Sequence, residues 1–153
     1  MYDSKNIIKI LKSELSLQKR HIKLLKAQNE ALIACDRPRF FQLFEGYSGF
    51  LTQLQQHAQK REASLAGTTL TEAAAGWPAE ESAQAKKLSE EIKQALEQAK
   101  EISAQNQKLI ARELTYIDFL LNLYVEAGRR SASYAHSGEF APAIGNRLIN
   151  QVA

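Results

Sequence analysis

From Ala79 to Ala127 the chain runs for 49 residues without a glycine or a proline, bounded by Pro78 and Gly128. The residues that punctuate local structure are absent there. Apolar positions recur in one seven-residue series, Leu88, Ala95, Ile102, Leu109, Tyr116 and Leu123. Its companion series is Ile92, Ala99, Asn106, Glu113 and Leu120. Together they make a heptad seam on one helix. A helix of this length is roughly 70 Å long at 1.5 Å per residue. Gly128 is the expected C-terminal stop.

The first 35 residues also lack glycine and proline, and Ile8, Leu11, Leu15, Gln18, Ile22, Leu25, Asn29 and Leu32 alternate at spacings of three and four. "CDRPRF" follows. Asp36 is a good N-cap and Pro38 is tolerated in a first helical turn, so a break is expected there; a longer hairpin in which Pro38 only bends one helix stays open. A second helix is expected from about Pro38 to Leu65, with Phe40, Leu43, Tyr47, Phe50, Leu51 and Leu54 as its apolar face. Gly67, Gly76 and Pro78 mark the next stretch as a loop, with Trp77 packed down on a helix end. The predicted fold class is all-α, an up-down-up bundle of three long helices (about 5–35, 38–65 and 79–127) with coiled-coil-like packing. The bundle takes residues 1–128, and 129–153 form a partly irregular tail with room for a short helix. Asn29 and Asn106 fall on seam positions, where a buried asparagine fixes register.

Charge and composition exclude several classes of function. Formal net charge is +3, with 20 basic and 17 acidic residues. Residues 1–35 hold seven of the basic residues against three acidic ones, a local excess of four. Lys5, Lys9 and Lys12 share one helix face, as do Lys19, Lys23 and Lys26, but arginine density and a docking motif are missing, so no nucleic-acid partner is expected. The three histidines lie on separate segments, and HExxH, CxxC and glycine-rich phosphate loops do not occur. No catalytic residue, metal site or cofactor is expected. The single cysteine, Cys35, forbids an internal disulfide and reads as a small residue near a helix end, in keeping with a reducing cytoplasm. No apolar run reaches the length that spans a bilayer, and the N-terminus carries no signal-peptide pattern.

Binding is the remaining class. In the expected topology the third helix outruns its neighbours by roughly 20 Å. Its end reads "LTYIDFLLNLYV", from Leu114 to Val125, apolar around most of the helix circumference. A helix of that kind needs partners on every side. Past Gly138, Phe140, Ile144, Leu148 and Val152 recur every four residues, although Pro142 and Gly145 weaken a helix there. This tail either caps the overhang or grips a partner.

The pattern resembles the FlgN-type flagellar export chaperones, which serve the hook–filament junction proteins in the type III flagellar export system. "NEALIACDRPRFFQLFEGYSGFLTQLQQHAQKREASLA" is similar to the family in Glu30, Ala31, Leu32, Asp36, the basic pair Lys60 and Arg61, and Leu65. "QNQKLIARELTYIDFLLNLY" carries the family's asparagine and long apolar helix end in Asn106, Leu109 and Ile110. "YAHSG" gives the family's tyrosine and following glycine, Tyr134 and Gly138; Ala135 stands where a second glycine is common, which stiffens that turn. The resemblance implies docking to the export apparatus through Tyr134 and Gly138. It implies client binding by the last helix and tail, with Leu114, Ile117, Leu120, Leu121, Tyr124, Phe140, Ile144 and Leu148 as the candidates. The expected partners are hook-associated proteins and export-apparatus components, with no stable membrane insertion. The chain itself is expected to be a cytoplasmic monomer or weak homo-oligomer. The alternative function is a structural coiled-coil protein that self-associates through the same surface, and a third is a basic helical binder of an anionic polymer.

Overall fold

The computed structural model describes residues 3–133. Every regular element among them is an α-helix: α1 (Ser4–Ile33), α2 (Arg37–Glu45), α3 (Tyr47–Leu65), α4 (Leu70–Ala74) and α5 (Ala79–Ser133). The chain divides into two compact units, Met1–Gln107 and Lys108–Ala153.

In the first unit, α1 buries Ile8, Leu11, Leu15, Gln18, Ile22 and Leu25 of the expected seam, whereas Asn29 and Leu32 are half-buried. Its partner is the first half of α5. One core cluster joins Ile7, Ile8, Leu11 and Leu15 to Leu65, Ala73, Ala85, Leu88 and Ile92, flanked by Leu70 and Trp77. Trp77 thus covers apolar surface at a helix end, as its place in a loop suggested. A second cluster joins Ile22 and Leu25 to Ala95 and Ala99, with Tyr47 and Ile102 against it.

Hydrogen bonds fix the directions. The Ser4 hydroxyl donates to the Glu81 carboxylate, and Asn29 Nδ2 donates to Asn106 Oδ1 at 2.9 Å. Both pairs are 77 residues apart in sequence, so α1 and this part of α5 run parallel. The offset is a multiple of seven, which keeps the two heptad seams in phase. Asn106 is 4% exposed and its Nδ2 donates to the Leu25 carbonyl at 3.0 Å. α3 runs the other way: Arg61 meets Glu14, and Tyr47 meets His21, a later residue of α1.

The α1–α3 contact is polar where the α1–α5 contact is apolar. Ile7, Glu14, His21 and Gln28 lie seven residues apart on α1, and three of the four are polar. Glu14 is buried, and Arg61 Nη1 donates to its Oε1 at 2.7 Å. Leu65 is the only buried residue of α3, and α2 buries none.

Local chemistry explains where the helices stop. α1 ends in a Schellman motif: Asp36 N–H donates to the Ala31 carbonyl at 2.9 Å and Cys35 N–H to the Leu32 carbonyl at 3.2 Å. Cys35 takes the left-handed position, with φ 53°, where glycine is usual. Asp36 then caps α2 by accepting from Arg39 N–H at 3.2 Å, with Pro38 in the first turn. Pro38 therefore follows a complete break.

Three expectations are corrected. The single helix from Pro38 to Leu65 is broken at Gly46, which ends α2 and opens α3. The apolar spacing continues across this turn, so periodicity alone passes over it. The loop after Leu65 contains α4, nucleated by a capping box in which Thr69 and Glu72 each accept from the other's backbone N–H. The last helix does not stop at Gly128 but runs on to Ser133. One interior glycine costs only about 1 kcal/mol, which does not end so long a helix.

Removing the Arg61 side chain leaves a buried carboxylate without its cation. Arg61→Ala is expected to lower unfolding free energy by about 2 to 3 kcal/mol in urea titrations, and Glu14→Leu with Arg61→Leu to recover most of it. Cys35→Gly relieves the left-handed residue and is expected to add about 1 kcal/mol. At this chain length that raises Tm by about 2 to 4 °C.

Candidate partner-binding surfaces

From Gln107 to Arg130 no residue of α5 is buried. Leu114, Tyr116, Ile117, Phe119, Leu121, Leu123 and Tyr124 are all exposed, Tyr124 at 65% and Leu114 at 58%. Leu120 and Val125 are half-buried. At 100° per residue, Leu114, Ile117, Leu120, Leu121 and Tyr124 fall within a sector of about 120°. Tyr116, Phe119 and Leu123 occupy the flank beyond it. Single exposed apolar residues need no explanation, but seven within eleven positions of one helix form a patch of the kind that marks an interaction site.

A second, aromatic surface lies in the first unit. Ring contacts run in a chain from Phe41 through Phe40 to Phe44 and on to Tyr47, with centroid separations of 5.8, 5.9 and 6.1 Å. The chain continues through His21, stacked on Tyr47 at 5.7 Å, to Phe50 at 5.7 Å. The outer end is bare, with Phe41 62% and Phe44 53% exposed. The expected apolar face of the second helix is thus only partly covered: Phe40, Leu43, Tyr47, Phe50 and Leu54 are half-buried and Leu51 is exposed.

The model of one protein family, the FlgN protein, matches residues 1–141. The chain belongs to the FlgN family. The match spans all five helices and extends beyond α5, and it is the family that the sequence itself resembles. Membership of this family supports a flagellar chaperone role. No curated protein and no solved structure matches the chain.

The residues carrying the resemblance acquire physical roles in this family member. Arg61 holds the buried Glu14, and Leu65 anchors α3 in the core. Asp36 caps α2, and Asn106 ties α5 to the Leu25 carbonyl. Of the candidate client residues, Leu114, Ile117, Leu120, Leu121 and Tyr124 share one sector of α5. Tyr134, Gly138, Phe140, Ile144 and Leu148 lie outside the described residues. The exposed rings of Phe41 and Phe44 were not singled out in the sequence; their i, i+3 spacing resembles that of core residues, and only the turn at Gly46 distinguishes them. Among the described residues no group of His, Cys, Asp and Glu could hold a metal ion, and no helix is long and apolar enough to cross a membrane.

His21 sits where the aromatic chain meets α1. Its Nε2 shares a hydrogen bond of 3.0 Å with the Tyr47 hydroxyl, while its buried Nδ1 has no partner among the described residues. Burial holds the imidazole below the usual histidine value of 6.5 and pushes the Tyr47 phenol up. The unfolded chain therefore takes up a proton at His21 before the folded one does. Stability falls as pH drops through 6.5 and levels off only below the folded value. His21→Phe keeps a ring against Phe50 and removes the titration. Urea midpoints at pH 7.5 and 5.5 are expected to differ less in His21→Phe than in the parent chain.

Proposed function

We propose that this FlgN-family chain is a cytoplasmic export chaperone. It binds the helical termini of flagellar hook-associated, hook–filament junction proteins and delivers them to the flagellar type III export apparatus. The observation that carries this reading is the bare apolar half of α5, in which Leu114, Ile117, Leu120, Leu121 and Tyr124 share a sector and none is buried. A helix laid along that sector would meet anchors at i, i+3, i+7 and i+10, the spacing of helix-in-groove recognition. The first unit, read as an up-down-up bundle of α1, α2–α3 and α5, serves as the platform.

In this reading the tail completes the grip through Phe140, Ile144 and Leu148, while Tyr134 and Gly138 engage the export apparatus. No chemical step is involved. The grip is modest because a chaperone of this kind must let its cargo go. A self-associating coiled coil would use the same surface and is the competing reading.

The test is a titration of the C-terminal helical segment of a hook-associated protein into the full chain and into Ile117→Ser/Leu121→Ser. Both side chains are exposed, so the variant is expected to fold normally. Affinity is expected to fall by about tenfold or more, the scale of losing two anchors. No binding by the parent chain at saturating peptide would overturn the reading. A tight homodimer that persists on dilution, seen by light scattering, would favour the competing one.

A further inference from the structure

Independently of the client surface, we infer that the outward face of α1 is a docking site for an acidic, amphipathic helical segment of a protein partner. α1 is continuous from Ser4 to Ile33, so its two lysine trios belong to one stripe. At 100° per residue Lys5, Lys9, Lys12, Lys19, Lys23 and Lys26 fall within about 100° of arc, along roughly 32 Å of helix. All six are exposed. Among the described residues none of them has an ion-pair or hydrogen-bond partner. The only acid of α1 between Lys5 and Lys26 is Glu14, which is buried and bound to Arg61.

The stripe is costly to the fold. Lys5 with Lys9, Lys9 with Lys12, Lys19 with Lys23, and Lys23 with Lys26 are like-charge pairs at helical-neighbour spacing, each destabilising by about 0.2 to 0.5 kcal/mol. An acidic partner reverses that sign.

The centre of the stripe borders a groove of about 370 Å³ between α1 and α5. Lys12, Ser16, Lys19, Arg20 and Lys23 line it together with the buried Leu15 and Leu88. The Arg20 guanidinium also stands over the Phe50 ring at 5.5 Å, which holds it beside the groove. A lining of four cations with two leucines fits a helix that presents both carboxylates and aliphatic side chains. Two other anionic partners fit less well. Nucleic acid favours arginine forks and stacking platforms, whereas the stripe is lysine throughout. A membrane surface calls for apolar or aromatic side chains beside the lysines to enter the lipid, and here Ile8, Leu15 and Ile22, the apolar residues of α1 that border the stripe along its length, are buried in the core.

The probe is a synthetic 21-residue helical peptide with glutamates along one face and leucines on the adjoining one, labelled for fluorescence anisotropy and titrated with the full chain at low salt. Binding is expected to weaken as salt is raised. Lys19→Glu/Lys23→Glu is expected to weaken it by about tenfold, since removing charges at an interface rim mainly reduces steered association. Lys19→Arg/Lys23→Arg is expected to retain binding. Lys108→Glu/Arg112→Glu changes net charge equally at exposed positions of the other unit and is expected to leave binding within about twofold. Circular dichroism checks that each variant is folded. The proposal is overturned by failure of the peptide to bind the parent chain at low salt, by equal weakening in the two charge-reversed pairs, or by tighter binding of single-stranded oligonucleotide or phosphatidylglycerol vesicles at the same lysines.

Discussion

The fixed register of α1 against the first half of α5 is the constraint on which the rest of the first unit depends. α5 brings Ala85, Ala95 and Ala99 to the seam, and α1 brings Ile8, Leu11, Ile22 and Leu25. On α5 these alanines alternate with the larger Leu88 and Ile92, and mixing small and large residues at facing positions lets two helices interdigitate closely. Such a seam is tolerant of slippage, because one heptad step restores much of the same apolar pattern. The Asn29–Asn106 hydrogen bond and the Asn106 bond to the Leu25 carbonyl remove that freedom. A slip by one heptad would take Asn29 away and leave the buried Asn106 Oδ1 unpaired at a cost of about 1 to 3 kcal/mol. The Ser4–Glu81 contact closes the other end at the same offset.

α3 is held to this pair by different forces. One buried leucine, one charge-assisted bond to Glu14, and a half-buried run of rings meet a stripe of α1 that is polar at three of four heptad positions. Gln28 Nε2 and His57 Nδ1 in this region are buried without a hydrogen-bond partner among the described residues. A layer attached this way has less apolar burial behind it than the α1–α5 seam, and local opening follows the energy stored in such contacts. The fold thus grades from an apolar, register-locked pair, through a polar-fastened layer, to the α5 segment from Gln107 to Arg130, in which no residue is buried.

What the sequence made legible follows the same grading. The α1 seam from Ile8 to Leu25 and the α5 seam from Leu88 to Ala99 were readable because burial on one face imposes a period, and both asparagines stood out as polar residues on an apolar stripe. The break at Pro38 was readable as well, since Asp36 and Pro38 each have a single local use. The turn at Gly46 was not, because the aromatic spacing ran on through it and a lone glycine is tolerated inside helices. α4 was hidden by its length, although Thr69 and Glu72 formed a visible capping box. Gly128 misled in the opposite direction: its propensity cost is real, yet small against a helix of 55 residues. The lysine trios were visible as charge, but only the unbroken course of α1 makes them one stripe.

The exposed sector of α5 also bears on how strongly a chaperone could hold its cargo. Leu114, Ile117, Leu120, Leu121 and Tyr124 are each already partly covered by their own helix, so burying the remainder gains about 1 kcal/mol apiece. Tyr116, Phe119 and Leu123 add to this only if cargo wraps around the helix. Association and the ordering of a flexible cargo segment offset several kcal/mol of that gain. In the proposed function such a balance would hold cargo without making the grip irreversible. A buried ion pair or an interlocking core on this surface would strengthen the hold and slow release, and the residues from Leu114 to Val125 include one charged side chain, Asp118. The basic stripe on α1 follows different physics, being sensitive to salt and strongest at long range. In the two proposed readings cargo would engage the apolar sector of α5 and an acidic partner the lysine stripe of α1, so the two would not compete for the same side chains.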